Sequence, residues 1–127
     1  MIHLQKRIFT KILKTMSRTS INYIEFYCKR IDLIKEFYGN AFGWTFTDYG
    51  PDYTAFEDGA LSGGFHRNAA AAGGNPLVVL YTKDLEGIKD KVIAAGGTIT
   101  VDIFSFPGGR RFHFADPDGN VLAVWSE

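Results

Sequence analysis

Three scarcities bound this chain of 127 residues before any motif is read. It holds one cysteine, Cys28, so no disulfide can close within it, and a reducing, cytoplasmic setting is expected. Cys28 lies at the end of a strand-like run and reads as a small buried hydrophobe rather than a nucleophile. Formal net charge is zero, which supplies no basic surface for a nucleic-acid partner. No apolar run approaches the roughly 18 residues of a membrane-spanning helix, so no integral membrane association is expected. A Gly-rich phosphate loop, a zinc knuckle and a nucleophile elbow are also missing, which removes the usual signatures of nucleotide, zinc-finger and serine-hydrolase chemistry.

Aromatics, by contrast, are plentiful: eleven Phe, six Tyr and two Trp. Such rings contribute large buried area and also line small-molecule pockets. Charge is unevenly placed. Residues 1–20 contain Lys6, Arg7, Lys11, Lys14 and Arg18 and no acid, whereas the rest of the chain carries nine cations against fourteen acids. Leu4, Ile8, Ile12 and Met16 recur every four residues there, so a helix over this stretch would be basic and amphipathic. Three readings of residues 1–20 stay open: an upstream start with Met16 as the natural first residue, an arm that touches a membrane or partner, or a targeting segment.

Beyond this extension the chain says nearly the same thing twice. Phe56-Glu57-Asp58-Gly59 is followed by Gly63, and Phe114-Ala115-Asp116-Pro117-Asp118-Gly119 by Ala123. Upstream of each lies an apolar strand, Tyr23–Tyr27 or Leu77–Tyr81, and then a helical pattern. Ile31, Ile34, Phe37, Tyr38 and Phe42 form the first helical stripe, closed by Gly43. Asp84 is suited to cap a second helix carrying Leu85, Ile88 and Val92, closed by Gly96-Gly97. Short strands at Trp44–Thr47, Tyr53–Phe56, Leu61–His66, Thr98–Ile103, Arg110–Ala115 and Val121–Trp125 complete the pattern. The order β-α-β-β-β, twice, predicts an α+β domain over residues 21–127. Its modules are 21–67 and 76–127, joined by a flexible Ala/Gly connector, with a pocket associated with the sheets.

With Phe37-Tyr38, Phe42-Gly43-Trp44, Asp84-Leu85, Ala94-Ala95-Gly96-Gly97 and Phe114-Ala115-Asp116-Pro117-Asp118-Gly119-Asn120 in this order, residues 21–127 resemble the vicinal oxygen chelate superfamily, the glyoxalase/bleomycin-resistance/extradiol-dioxygenase group. The resemblance implies a curved eight-stranded sheet around a pocket, a homodimer, and either chemistry at a divalent metal or sequestration of a drug. It also implies metal ligands in each opening and closing strand. Counting from the helix starts and the Asp-Gly turns, those positions hold Tyr23, Leu77, Gly63 and Ala123. Glycine, alanine and leucine offer no donor, and a phenol binds metal only after losing a proton with a pKa near 10. No metal and no other cofactor are therefore expected.

Glu25 is the sharpest remaining candidate, an acid in mid-strand on the face shared with Tyr23 and Tyr27, suited to act as a general base or to bind a cationic or hydroxylated ligand. His113, between Phe112 and Phe114, is the second catalytic candidate. Each has a plainer reading: an arginine-held acid at a rim or seam, and a hydrogen-bonded structural histidine. His66 reads as exposed. Gly108-Gly109-Arg110-Arg111 reads as an anion-binding turn or as surface ion pairs, and the Asp116–Gly119 run as a turn rather than a calcium loop. The expected ligand-binding set is Tyr23, Glu25, Tyr27, Leu77, Val79, Tyr81, His113, Ala123 and Trp125. The leading functional expectation is a metal-independent protein binding or sequestering a small, partly apolar molecule. A glyoxalase-like lyase or isomerase with a displaced metal held by Glu25, His113 or His66 is the alternative.

Overall fold

The structure, a computed structural model, describes residues 19–127. His3 and nearly all of the basic extension fall outside the described residues. Ten elements follow in the order β1 (Ser20–Cys28), α1 (Ile31–Phe42), β2 (Thr45–Asp48), β3 (Tyr53–Glu57), β4 (Ser62–Arg67), β5 (Leu77–Tyr81), α2 (Leu85–Ala94), β6 (Thr98–Phe106), β7 (Gly109–Ala115) and β8 (Val121–Ser126). This is the expected double β-α-β-β-β order, an α+β fold with eight strands in a mixed, open sheet. The chain divides into two compact units, with boundaries between Ile21 and Asn22, inside β1, and between Val79 and Leu80, inside β5.

In the first unit, Asn22–Val79, the strands run β2-β3-β4-β1, with β1 parallel to β4 and the other pairs antiparallel. Alternation along β1 sends Phe26 and Cys28 into a core with Phe56 and Phe65, and Ile31, Ile34, Tyr38, Trp44 and Phe46 pack against it. The core is largely aromatic: Trp44 stacks on Phe56 at 4.6 Å and on Tyr38 at 4.7 Å. The helical stripe is narrower than its sequence suggests, since Phe37 and Phe42 remain 58% and 64% exposed. Phe37 lies next to inward-facing Tyr38, one residue or about 100° around the helix, and that step turns it outward. Gly43 ends α1 at φ 74°, the left-handed conformation that glycine adopts without penalty.

In the second unit, which among the described residues comprises 19–21 and Leu80–Glu127, β7 pairs antiparallel with both β6 and β8. Leu85, Phe112 and Val124 form its core, with Leu80, Ile88, Val92, Ile99, Ile103 and Phe114 packed around them. Asp84 caps α2 as expected, its carboxylate accepting from the Gly87 amide at 3.0 Å. Two register shifts interrupt β6, between Ile99 and Val101 and between Val101 and Phe104. Each extra residue resets the alternation, so Val101 and Phe104 reach the same face although three positions apart. Asp116 closes the last turn, accepting from the amides of Asp118 and Asn120 and from the Asn120 side chain at 2.8–2.9 Å. Among the described residues, no helix is long and apolar enough to cross a membrane.

Candidate functional site

Away from α1, the first unit presents a face whose members follow from register. Tyr23, Glu25 and Tyr27 of β1 stand opposite Ser62, Gly64 and His66 of β4, and β3 adds Tyr53 opposite His66 and Ala55 opposite Gly64. Glu25 is only 5% exposed. The hydroxyls of Tyr23 and Tyr53 lie 2.5 Å apart, and Glu25 stands on the same face of β1 as Tyr23. Burial, the Glu25 charge and the Tyr23 hydroxyl together push the Tyr53 phenol far above its ordinary value. Tyr53 is therefore a protonated hydrogen-bonding group at any physiological pH.

Gly64 makes this arrangement possible. A Cβ there would lie 1.9 Å from the Tyr53 hydroxyl and 2.6 Å from that of Tyr23, so any side chain would evict the phenols. Gly63 serves the opposite face, where a Cβ would meet the Phe56 ring and the Ile24 carbonyl at 2.3 Å. Placing Gly63 at the closing-strand site position is thus corrected by one residue: Gly64, not Gly63, shares a face with Tyr23 and Glu25. The cause is turn length. Glu57 pairs with Ser62 across four residues, whereas Ala115 pairs with Val121 across five. A one-residue difference flips the face on which every later side chain falls.

On the second unit, His113 stands directly opposite Ala123, and Arg111 opposite Trp125. Tyr81 meets Trp125 edge-on at 5.0 Å and donates its hydroxyl to Glu127 at 3.1 Å. The Arg111 guanidinium lies over the rings of Phe104 and Phe106, at 5.2 and 5.8 Å from their centroids, and Phe104 approaches His113 at 5.9 Å. Arg110 faces the other way and pairs with Glu86 at 2.5 Å, so the two arginines after Gly108-Gly109 serve separate tasks. An anion-binding turn built from both is not formed.

The expected ligand-binding residues therefore fall into two groups within their own units: Tyr23, Glu25 and Tyr27 in one, and Tyr81, His113, Ala123 and Trp125 in the other. Leu77 and Val79 are buried at 6% and 3% exposure, and Ala123 is wholly buried. Tyr53, Gly64, Phe104 and Phe106 join these faces without having been singled out, and Arg111 joins them alone rather than as half of an anion-binding turn. A glycine pair in mid-strand is a sequence signal of close backbone or side-chain approach, and Gly63-Gly64 would have found the phenols. Nothing local marks the β6 irregularity that aligns Phe104 with Arg111.

A cleft of about 330 Å³ opens elsewhere in the first unit, lined by Lys29, Arg30, Lys35 and Arg67 with Asp32 and Asp48. Lys35 is paired with Asp48 and Arg67 with Asp52, and none of the candidate residues reaches the cleft. Cys28 is buried and its thiol is pushed up by that burial, which keeps it unreactive.

An open mixed sheet of eight strands in two β-α-β-β-β halves defines the architectural class. The family model for the Glyoxalase/Bleomycin resistance protein/Dioxygenase superfamily matches residues 20–124, and the chain belongs to that superfamily. A superfamily member from Vibrio splendidus 12B01 is similar in structure with a TM-score of 0.66 at 14% identity, covering 87% of this chain and 100% of that one. Methylmalonyl-CoA epimerase from Mycobacterium tuberculosis gives a TM-score of 0.69 at 9% identity, covering 84% and 87%. The Mn(II)-bound glyoxalase from Novosphingobium aromaticivorans gives 0.62 at 23% identity, covering 85% of this chain but 38% of that protein. At these identities the likenesses establish the fold alone. No curated protein matches the chain.

The superfamily implies a divalent metal, and the residues at the corresponding positions do not fit one. Gly64 is filled by phenols, Leu77 and Ala123 are buried and apolar, and Tyr23 is engaged with Tyr53. Among the described residues, no three His, Cys, Asp or Glu side chains converge on a common point.

Proposed function

We propose that this chain is a metal-independent member of its superfamily that binds or sequesters a small, partly apolar molecule, working as a cytoplasmic homodimer without a nucleic-acid partner. The observation that carries the reading is the Tyr23–Tyr53–Glu25 cluster seated over Gly64, where protein hydroxyls and a buried carboxylate stand in place of metal ligands. Half-buried rings at Tyr23, Tyr27, Tyr81 and Trp125 supply the apolar contact, and the ligand-facing set remains that derived from the sequence, with Tyr53 added. Glu25 and His113 are its candidates for acid–base chemistry, and the domain spans residues 21–127 after a basic extension. The test is metal content. The full chain is exposed to zinc, nickel or manganese, dialysed, and metal per chain is determined. Substoichiometric metal, with saturable quenching of Trp125 fluorescence by a member of a small-molecule panel, is expected. A stoichiometric metal surviving dialysis would overturn the reading and favour the lyase or isomerase alternative.

A further inference from the structure

The cleft of about 330 Å³ in the first unit gathers charge as no other part of the domain does. Residues 21–127 hold nine cations against fourteen acids, yet four of the nine, Lys29, Arg30, Lys35 and Arg67, line this one recess. Main-chain bonds fix its frame. The Asn68 amide donates to the Cys28 carbonyl at 2.9 Å and the Arg67 amide to the Asp52 carbonyl at 2.8 Å. The ends of β1 and β4 and the β2–β3 turn are thereby tied together. Two of the cations are held by acids. Lys35 reaches both oxygens of Asp48, at 2.8 and 3.1 Å, and the buried Thr54 hydroxyl donates to the same carboxylate at 2.8 Å. Arg67 pairs with Asp52. Lys29 and Arg30, exposed in the link between β1 and α1, form no ion pair among the described residues. Asp32 is the remaining carboxylate of the lining. With Asp52 included, three acids stand against four cations, so one positive charge is uncompensated in a domain of negative net charge.

We propose that this cleft is a binding site for a phosphoryl group, carried by free phosphate or by a small phosphate ester. A recess lined by an excess of one sign of charge concentrates ions of the other sign. Its volume lies at the lower end of the roughly 300–1,000 Å³ of small-molecule sites, which suits a compact anion. Arg30 and Arg67 offer planar forks that match phosphate oxygens, and Lys29 and Lys35 add point charges. A phosphate monoester carries about −1.5 to −2 at neutral pH and three terminal oxygens, so it engages more of these donors than a carboxylate can. Asp48 and Asp52 orient Lys35 and Arg67, which leaves Lys29 and Arg30 to meet the ligand charge and Asp32 to oppose it. None of the ligand-facing residues lines the cleft, so this is a second site, independent of the metal-free reading.

The full chain is titrated with inorganic phosphate at neutral pH and low ionic strength, and binding is followed by backbone amide shifts. Saturation is expected, with the largest shifts at Lys29, Arg30, Gly50 and Arg67. Arg30→Gln and Lys29→Gln, at exposed positions without ion pairs, should each weaken binding by about tenfold, the scale of one hydrogen bond to a charged group. Asp32→Asn should tighten it, because a repelling carboxylate is removed. Lys83→Gln, at an exposed cation outside the cleft, should change nothing. Acetate should bind more weakly than phosphate, and added salt should lower phosphate affinity. Phenyl phosphate binding more tightly than inorganic phosphate assigns the ligand as an ester, and equal affinity assigns free phosphate. Failure to saturate, shifts centred on residues 1–18, or equal effects of Arg30→Gln and Lys83→Gln would overturn the site. Acetate binding as tightly as phosphate would do the same. Each of these results leaves the metal-free reading untouched, since metal content and the small-molecule panel decide that.

Discussion

The two units repeat one topology and solve it with different chemistry. The first packs stacked rings beneath α1 and keeps a buried acid with two phenols on its other face. The second packs Leu85, Phe112 and Val124 beneath α2, and on its other face sets a guanidinium over two phenylalanine rings. Glycine accounts for much of the contrast. The first unit gives two adjacent strand positions, Gly63 and Gly64, to room for neighbours, whereas the corresponding positions of β8 carry the side chains of Leu122 and Ala123. A duplicated fold thus keeps its strand order while the residues of the closing strand decide which neighbours its face can hold.

The strongest way to break this comparison is to remove the ring at the centre of the second core. Phe112 is fully buried, and Phe112→Ala should cost about 3–5 kcal/mol in urea unfolding. A loss under about 1 kcal/mol would show that this core collapses around the gap. In the first unit the vulnerable element is absence rather than bulk. Gly63→Ala sets a Cβ against a backbone carbonyl and an aromatic ring, and overpacking of that kind costs about 1–3 kcal/mol. A neutral midpoint for Gly63→Ala would refute the idea that the glycine is there for space.

The helices sharpen the contrast at a lower level. Asp84 caps α2 through its side chain, while Arg30 at the start of α1 makes no side-chain cap. Asp84→Ala should therefore destabilise by about 1 kcal/mol, and Arg30→Asp should stabilise by a few tenths to about 1 kcal/mol. Opposite signs in thermal unfolding support the assignment; equal signs refute it.

The smallest expected effect is the acid response. Lys35 and the Thr54 hydroxyl hold the exposed Asp48 carboxyl below the usual carboxylate range, and the Asn120 side chain and amide do the same for Asp116. A depressed folded value contributes stability above the unfolded pKa, about 3.9, and that contribution is lost as pH falls through the folded value. Asp48→Asn and Asp116→Asn should each flatten the stability-versus-pH slope below about pH 4. High salt should erase more of the Asp48 effect, since it includes an exposed ion pair with Lys35 while that of Asp116 is made by uncharged donors.

Much of the fold was legible because its signals are local. Period-two alternation put Tyr23, Glu25 and Tyr27 on one face, Asp84 marked a helix start, and Gly43 marked a helix end. Less of the candidate site was legible. Tyr53 belongs to it only because β3 pairs with β4 in one particular register, and Gly64 replaced Gly63 because one turn is a residue shorter than its counterpart. Phe104 joins Arg111 through an irregularity in β6 with no mark in the sequence.

By itself, then, the sequence determined the double β-α-β-β-β order, the superfamily, and the lack of imidazole or carboxylate at the expected ligand positions. These follow from periodicity, turn residues and side-chain identity, each read within a few positions of chain. Only the tertiary structure decided that the hydroxyls of Tyr23 and Tyr53 meet over Gly64, on the face that also carries Glu25. Strand register sets which distant residues meet, and a single added or missing residue in a turn reverses it.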